Sequence, residues 1–127
     1  MRYSKVDLPV AIKAPQGTWS EIECEGMFME YVSFQQEVDP SPLLRGLPDD
    51  RCPCPHWGYV LQGQIRVTFA DHEEVYNAGD MFYVAPGHRP VFGANTEFVE
   101  FSPAEPYRQV GEVIKHNLAV MRQQVEA

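Results

Sequence analysis

The sequence predicts an all-β barrel or sandwich followed by a single α-helix. Between residues 59 and 102, short apolar segments rich in strand-forming residues alternate with turn residues roughly every 8 to 12 positions, as in such folds. No helical pattern interrupts these segments, which argues against a parallel sheet built from strand–helix–strand units. After residue 106 the apolar residues instead fall at spacings of three and four, which indicates one face of a helix.

Turn residues divide the central part of the chain into short strands. Gln62-Gly63 and Ala78-Gly79-Asp80 are turn sequences, and residues 70–73 form another turn. The predicted strands cover residues 59–61, 65–69, 75–76, 81–84, 90–92 and 97–102. Two more strands are expected between residues 18 and 36, preceded by an irregular arm with one short edge strand. We therefore expect a single domain, with its barrel at about residues 18–102 and its helix at about 106–124.

The apolar residues after position 106 define one side of the predicted helix. They are Val110, Val113, Ile114, Leu118, Met121 and Val125. An isolated helix of this length is marginally stable in water, so its apolar side must be covered. The barrel and a partner subunit are both compatible with the pattern.

Length and charge restrict the classes of function. A chain of 127 residues can bury one core, and its 18 acidic against 10 basic residues give a net charge of −8. No stripe of basic residues could neutralise a phosphate backbone, so nucleic acid is not an expected partner. The acidic surface and the lack of an apolar run of roughly 20 residues also argue against a membrane protein.

The cysteines and the first ten residues bear on location. Residues 1–10 lack the apolar segment of a signal peptide. Three cysteines are an odd number, whereas a secreted disulfide framework normally uses an even one. We therefore expect a cytoplasmic protein with reduced thiols.

Residues 38–55 form a long irregular segment in an otherwise regular chain. It contains Pro40, Pro42, Gly46, Pro48, Pro53 and Pro55, a composition that opposes both helix and central strand. Long loops within compact domains are usually functional. The first candidates for a site therefore lie at its end, at Cys52, Cys54 and His56.

Two stretches of the chain carry a family resemblance. Residues 56–63 read HWGYVLQG and residues 78–87 read AGDMFYVAPG, with residues 64–77 between them. They resemble, in order and spacing, the two signatures of the cupin superfamily. The resemblance implies a cupin fold, a double-stranded β-helix or jelly-roll barrel, which holds a metal or a small organic molecule in its interior.

The positions that bind metal in cupins carry other residues here. Metal-binding members use a pair of histidines, a glutamate and a further histidine. When the signatures are aligned on Gly63, His56 takes the place of the glutamate, and Pro90 takes the place of the last histidine, with His88 two residues earlier. Cys52 and Cys54 lie four and two residues before His56, or occupy the two histidine positions in a second register.

These residues suggest a metal site of altered composition. In an extended segment the side chains of Cys52, Cys54 and His56 would share one face, and His88 could supply a fourth ligand. Thiolate and imidazole suit transition metals such as Zn, Fe or Cu, and Mn and Ni are further candidates. The alternative is that both cysteines are buried as small apolar residues and His56 is a hydrogen-bonded interior histidine.

Four other residues are candidates for a role in the site. Tyr59 and Tyr83 lie on the signature strands, where alternation directs some side chains inward, and could act as acid–base or orienting groups. Arg89 could bind an anionic substrate, and Glu100 could face the cavity as an acid partner.

Two classes of function follow. The first is a small metalloenzyme, an oxygenase or isomerase, or a metal-free enzyme with His56 as base and a tyrosine as acid, as in cupin-type sugar epimerases. The second is a non-catalytic ligand-binding or sensing domain, metal-free or with a structural metal. The resemblance also implies a homodimer that pairs through its sheets, to which the N-terminal arm could add an edge strand.

Overall fold

The computed structural model describes residues 1–126, which form two antiparallel β-sheets and one long helix. The strands are β1 (Val10–Ala14), β2 (Gly17–Cys24), β3 (Met27–Phe34), β4 (His56–Gln62), β5 (Gln64–Thr68), β6 (Glu73–Asn77), β7 (Met81–Val84), β8 (Arg89–Phe92) and β9 (Thr96–Pro103). Helix α1 spans Ala104–Glu126. Short 3₁₀ helices at Ser41–Leu44 and Pro48–Asp50 are the regular structure of the proline-rich segment.

The two sheets differ in size. Strands β1, β2, β3, β9, β4 and β7 form the larger sheet in that order, and β6, β5 and β8 form the smaller one. The edge strand expected in the N-terminal arm is β1, which pairs with β2. Strands β3, β9 and β4 lie side by side in the larger sheet, so their inward side chains meet near one another.

The main core lies between the sheets. Its buried members are Val32, Phe34, Val60, Ile65, Val67, Tyr76, Phe82, Val84, Phe92 and Phe98. They come from alternate positions of their strands, as expected for sheets with one face buried. The turn between β4 and β5 requires glycine, because Gly63 has a φ of 82° and a Cβ there would lie 2.3 Å from the Thr96 hydroxyl oxygen.

A second apolar cluster joins α1 to the proline-rich segment. Its buried residues are Leu44, Leu47, Cys52, Cys54 and Val110, with Tyr107, Val113 and Ile114 packed against them. The Asn117 side-chain amide donates hydrogen bonds to the carbonyl oxygens of Leu43 (2.8 Å) and Arg45 (2.9 Å). The N-terminal half of the apolar side of the helix is therefore covered by this chain itself, whereas Met121 in its C-terminal half is 40% exposed.

The outer face of the larger sheet is apolar. Two rows of side chains cross β3, β9, β4 and β7 in register: Met29, Phe101, Trp57 and Tyr83, and Tyr31, Val99, Tyr59 and Met81. We call these eight residues the outer apolar face. Its β4 and β7 members are exposed, with Met81 at 84% and Tyr83 at 49%. Within residues 1–126, no helix combines the length and the apolar character needed to cross a membrane.

Candidate functional site

A cluster of buried polar side chains lies between the inner face of β3, β9 and β4 and the bridge that joins Cys52 to His88, at the end of the barrel that α1 covers. Its members are Glu30, Cys52, His56, His88, Glu100 and Ser102. His56 begins β4, immediately after the proline-rich segment, and Gly58 of the same strand pairs with Glu100 of β9. Strand pairing thus places His56 beside Ser102, at the centre of the cluster.

Cys52, His56 and His88 present donor atoms to one point. The Cys52 Sγ lies 3.8 Å from the His56 Nε2, and the two imidazole centroids are 5.1 Å apart. One donor atom from each of the three residues lies within 4.8 Å of the others. Cys52 is held against His88 by the backbone, since its N–H donates to the His88 carbonyl at 2.9 Å.

Hydrogen bonds fix which imidazole nitrogens are free. The Nδ1 of His88 donates to the carbonyl oxygen of Ala85 at 2.8 Å, so its Nε2 carries the lone pair. The Nδ1 of His56 donates to the Ser102 hydroxyl oxygen at 2.6 Å, and that hydroxyl donates to Glu30 Oε2 at 2.5 Å. Both Nε2 atoms are therefore available as metal ligands.

Burial keeps the imidazoles and the thiol uncharged. It lowers the pKa of His56 to about 3, with a further contribution from nearby His88, and lowers the pKa of His88 below its usual value. Burial also raises the pKa of Cys52 to about 11. Neutral imidazole is the form that binds metal, whereas the thiol would release its proton when an ion binds.

Glu30 and Glu100 form a pair of buried carboxyl groups. They stand directly opposite each other on β3 and β9 and are only 2% and 5% exposed. Burial raises the pKa of both, that of Glu100 to about 7, and the neighbouring Glu100 raises that of Glu30 further. Two facing carboxylates repel each other, so the pair retains a proton near neutral pH. Glu30 Oε1 and Glu100 Oε2 make no hydrogen bond among the described residues.

Helix α1 seals this cluster. Tyr107, in its first turns, lies with its ring centroid 6.5 Å from that of His56. Its hydroxyl donates to Glu21 at 2.6 Å and accepts from the Trp19 indole at 3.0 Å. These bonds tie α1 to β2 across the end of the barrel.

The structure brings together three of the four predicted metal ligands. Cys54 is the exception: its Sγ faces the Pro55 carbonyl oxygen at 3.4 Å, and it packs in the apolar cluster beneath α1. The shared-face argument assumed a straight strand through residues 52–56, but β4 begins only at His56. Glu100 faces the cluster from β9, the inward position considered from the sequence.

Tyr59 and Tyr83, the predicted acid–base residues, do not face the cluster. Alternation along β4 directs His56, Gly58 and Val60 inward, and it places Tyr59 on the outer apolar face. Tyr83 pairs with outward-facing Trp57 and is exposed in the same way.

Arg89, predicted to bind an anion, contacts the backbone of the proline-rich segment. Its guanidinium donates to the backbone carbonyl oxygens of Asp49 (3.2 Å) and Asp50 (3.0 Å). Arg89 therefore holds the proline-rich segment against β8 through two of its N–H donors.

Sequence reasoning missed Glu30, Ser102 and Tyr107. A signal for Glu30 existed, because it stands two and four positions before Val32 and Phe34, the inward residues of β3. Ser102 alternates in the same way with Phe98 and Glu100 on β9.

Solved structures share this fold. A polyketide cyclase, RemF from Streptomyces resistomycificus, matches at a TM-score of 0.57 with 15% identity, over 83% of this chain and 80% of that one. An RmlC-like cupin from Shewanella frigidimarina matches at 0.56 with 16% identity, over 81% of this chain and 90% of that one. An oxalate decarboxylase variant from B. subtilis matches at 0.55 with 15% identity, over 80% of this chain and 28% of that one.

The protein therefore has the cupin fold, a jelly-roll barrel with a C-terminal helix, as the two signature stretches predicted. No protein-family model matches the sequence, and no curated protein matches it.

Proposed function

We propose that this protein binds one transition-metal ion through Cys52, His56 and His88. The observation that carries this proposal is the convergence of three buried donors, with the Nδ1 of each imidazole already hydrogen-bonded elsewhere. The contacts of the Cys52 Sγ with the Cys54 carbonyl oxygen and the His56 Nε2 are long, at 3.8 Å each. A metal ion would satisfy all three.

The spacing of the donors fits a metal. A tetrahedral ion with a metal–sulfur bond of about 2.3 Å and a metal–nitrogen bond of about 2.0–2.1 Å separates the two donors by about 3.6 Å. The observed separation of Cys52 Sγ and His56 Nε2 is 3.8 Å. One thiolate with two imidazoles favours Zn²⁺ or copper, and Fe²⁺ is the next candidate.

Three protein donors leave one position of a tetrahedral ion open, which favours a catalytic site. A bound ion would act as a Lewis acid or activate oxygen for a small organic substrate, as in an oxygenase or isomerase. The residues of this chain would support it: Ser102 and Glu30 hold the His56 ring in position, and the Glu30–Glu100 pair holds a proton beside the ion.

A non-catalytic role is the second candidate, and the position of α1 favours it. The helix covers the cluster, and Tyr107 and Asn117 fasten it to β2 and to the proline-rich segment. An ion enclosed beneath α1 would stabilise the folded barrel, or would form part of a ligand-sensing domain that catalyses no reaction.

Metal analysis of matched variants tests the proposal. The chain offers a control for Cys52→Ser, because Cys54→Ser changes a buried thiol two residues away that lies outside the donor group. We expect near-stoichiometric metal in the wild type and in Cys54→Ser, and its loss in Cys52→Ser and His88→Ala. Equal metal contents in the two cysteine variants would overturn the assignment.

We further propose that two copies of the chain pair through the outer apolar face. Each copy has a net charge of −8, so copies repel over most of their surface, yet neither row of this face contains a charged side chain. The N-terminal arm covers the β3 side, where Met1, Tyr3 and Leu8 line a cavity of about 170 Å³ with it. The exposed β4 and β7 side can stack on its own copy about a twofold axis.

A further inference from the structure

His56 stands between two sets of possible metal ligands of different chemistry. Its Nε2 faces the Cys52 thiol, and its Nδ1 faces the carboxyl groups of Glu30 and Glu100. Donor atoms of Glu30, His56 and Glu100 lie within 4.8 Å of one another, and all three residues are buried. The ion proposed above would use only the thiol side of the ring.

The two carboxyl groups beside the His56 Nδ1 also have oxygen atoms without partners. Glu30 Oε1 and Glu100 Oε2 are buried without a hydrogen-bond partner, and within residues 1–126 no lysine or arginine forms an ion pair with either residue. Buried carboxyl groups are costly unless a proton, a basic group or a cation compensates their charge. The shared proton compensates only one of the two.

The geometry suits a cation. Donors about 2.1 Å from an ion stand about 3.0 Å apart at a right angle and about 4.2 Å apart when opposite. The His56 Nδ1 lies 3.7 Å from Glu100 Oε2, which is within this range and too far for a hydrogen bond.

We infer that Glu30, Glu100 and the Nδ1 of His56 form a second metal subsite, selective for a hard divalent cation such as Mn²⁺, next to the thiolate subsite. Carboxylate oxygens favour Mn²⁺ and Mg²⁺, whereas Cys52 favours Zn²⁺ or copper. His56 is the shared residue. When both ions are bound, its Nδ1 gives up its proton and its hydrogen bond to Ser102, and the ring bridges the ions as an imidazolate.

Charge balance supports a two-ion state. Two divalent ions carry four positive charges, and the Cys52 thiolate, the His56 imidazolate and the two carboxylates carry four negative ones. Cys52 and His56 each release one proton to solvent on loading, and the carboxyl pair releases the one that it shares. A neutral buried assembly results, which is the state that an apolar interior favours.

Sequential loading tests this inference. Metal-free protein receives one equivalent of Zn²⁺ and is then titrated with Mn²⁺, whose free form is counted by its EPR signal. We expect one bound Mn²⁺ per chain in the wild type and in Glu97→Gln, a control on the outer face of β9. The double variant Glu30→Gln, Glu100→Gln should lose Mn²⁺ binding at least tenfold while it retains Zn²⁺, because an amide oxygen at position 30 can still accept the Ser102 hydrogen bond that orients His56. Cys52→Ser should do the reverse.

Other outcomes separate the two proposals. A wild-type protein that binds Mn²⁺ but not Zn²⁺ would overturn the thiolate subsite and leave the carboxylate subsite standing, because Mn²⁺ binding is counted independently. An unchanged Mn²⁺ titration in the carboxamide variant, or competition of both metals for one ion per chain, would overturn the second subsite. Circular dichroism checks that each variant is folded.

A measurement on the wild-type protein avoids the variants. With Cu²⁺ in place of Zn²⁺, a bridging imidazolate couples the two spins and broadens the signal of bound Mn²⁺. A bound Mn²⁺ signal that Cu²⁺ leaves unchanged would contradict the shared role of His56.

Discussion

The Nδ1 of His56 lies 2.6 Å from the hydroxyl oxygen of Ser102, and that hydroxyl donates a hydrogen bond to Glu30. This chain of hydrogen bonds joins three strands and fixes the tautomer of the imidazole. A metal ligand whose second nitrogen is held in this way is oriented before the ion arrives.

Removal of the Ser102 hydroxyl should therefore weaken metal binding. We expect Ser102→Ala to lower the affinity for Zn²⁺ about 10- to 100-fold, because His56 loses the group that orients it. Competition with a chromophoric chelator measures the affinity. Ser33→Ala is the control, since Ser33 lies on β3 outside the cluster, and equal affinities in the two variants would contradict the orienting role.

The three thiols should differ in reactivity. Cys24 is partly exposed, whereas Cys52 and Cys54 are buried beneath α1, and the pKa of Cys52 is about 11. In native, metal-free protein at pH 8 we expect one fast reaction with a thiol reagent and two slow ones. Asn117→Ala removes two hydrogen bonds that hold α1 and should speed the slow phase about tenfold. The surface variant Gln109→Ala should leave it unchanged, and an equal effect of both would show that α1 does not control access.

Glu100 should make the metal-free protein less stable as the pH rises. Its pKa is about 7 when folded against 4.5 when unfolded, so the folded state binds more protons between these values. The contribution of Glu100 to the free energy of unfolding is thus fully present below about pH 4.5. It is lost by about pH 8, a decrease on the order of 3 kcal/mol. Urea unfolding at pH 5 and pH 8 should show a smaller loss in Glu100→Gln, where only the raised pKa of Glu30 remains. If Glu97→Gln had the same effect, the assignment to Glu100 would fail.

Gly58 should not tolerate a side chain. A Cβ there would lie 2.4 Å from both the Phe82 ring and the Val99 carbonyl oxygen. We expect Gly58→Ala to destabilise the protein by roughly 1–3 kcal/mol, because the barrel wall would have to shift. Gly111→Ala on α1 has open space around its Cβ and should stabilise by about 0.5–1 kcal/mol. Chemical denaturation compares the two, and similar effects of both would contradict the packing of Gly58.

Charge on the outer apolar face should prevent pairing. We expect the wild type to scatter light as a dimer at micromolar concentration and Tyr83→Glu to scatter as a monomer of 14.5 kDa. Val75→Glu places the same charge at an exposed position of the smaller sheet and should remain dimeric. A monomeric wild type would overturn the proposed pairing.

The strands were predictable because glycine-containing turns and alternating apolar residues mark them locally. Most of the site was predictable where its residues lie near the signature stretches, as do Cys52, His56 and His88. Alternation indicates that Glu30 and Ser102 point inward, but it does not report that they meet, because they are 72 residues apart in the chain. Tyr59 was misplaced for a related reason: a shift of one residue in the phase of a strand reverses the face of every side chain.

Helix α1 follows every strand in the chain, and this order has a consequence for how an ion arrives. The barrel strands form one unit, and α1 packs over the end where the thiol and the two imidazoles lie. A bound ion would therefore be enclosed by a single element that can separate from the barrel without disturbing either sheet. Exchange of such an ion would then proceed at the rate at which α1 opens.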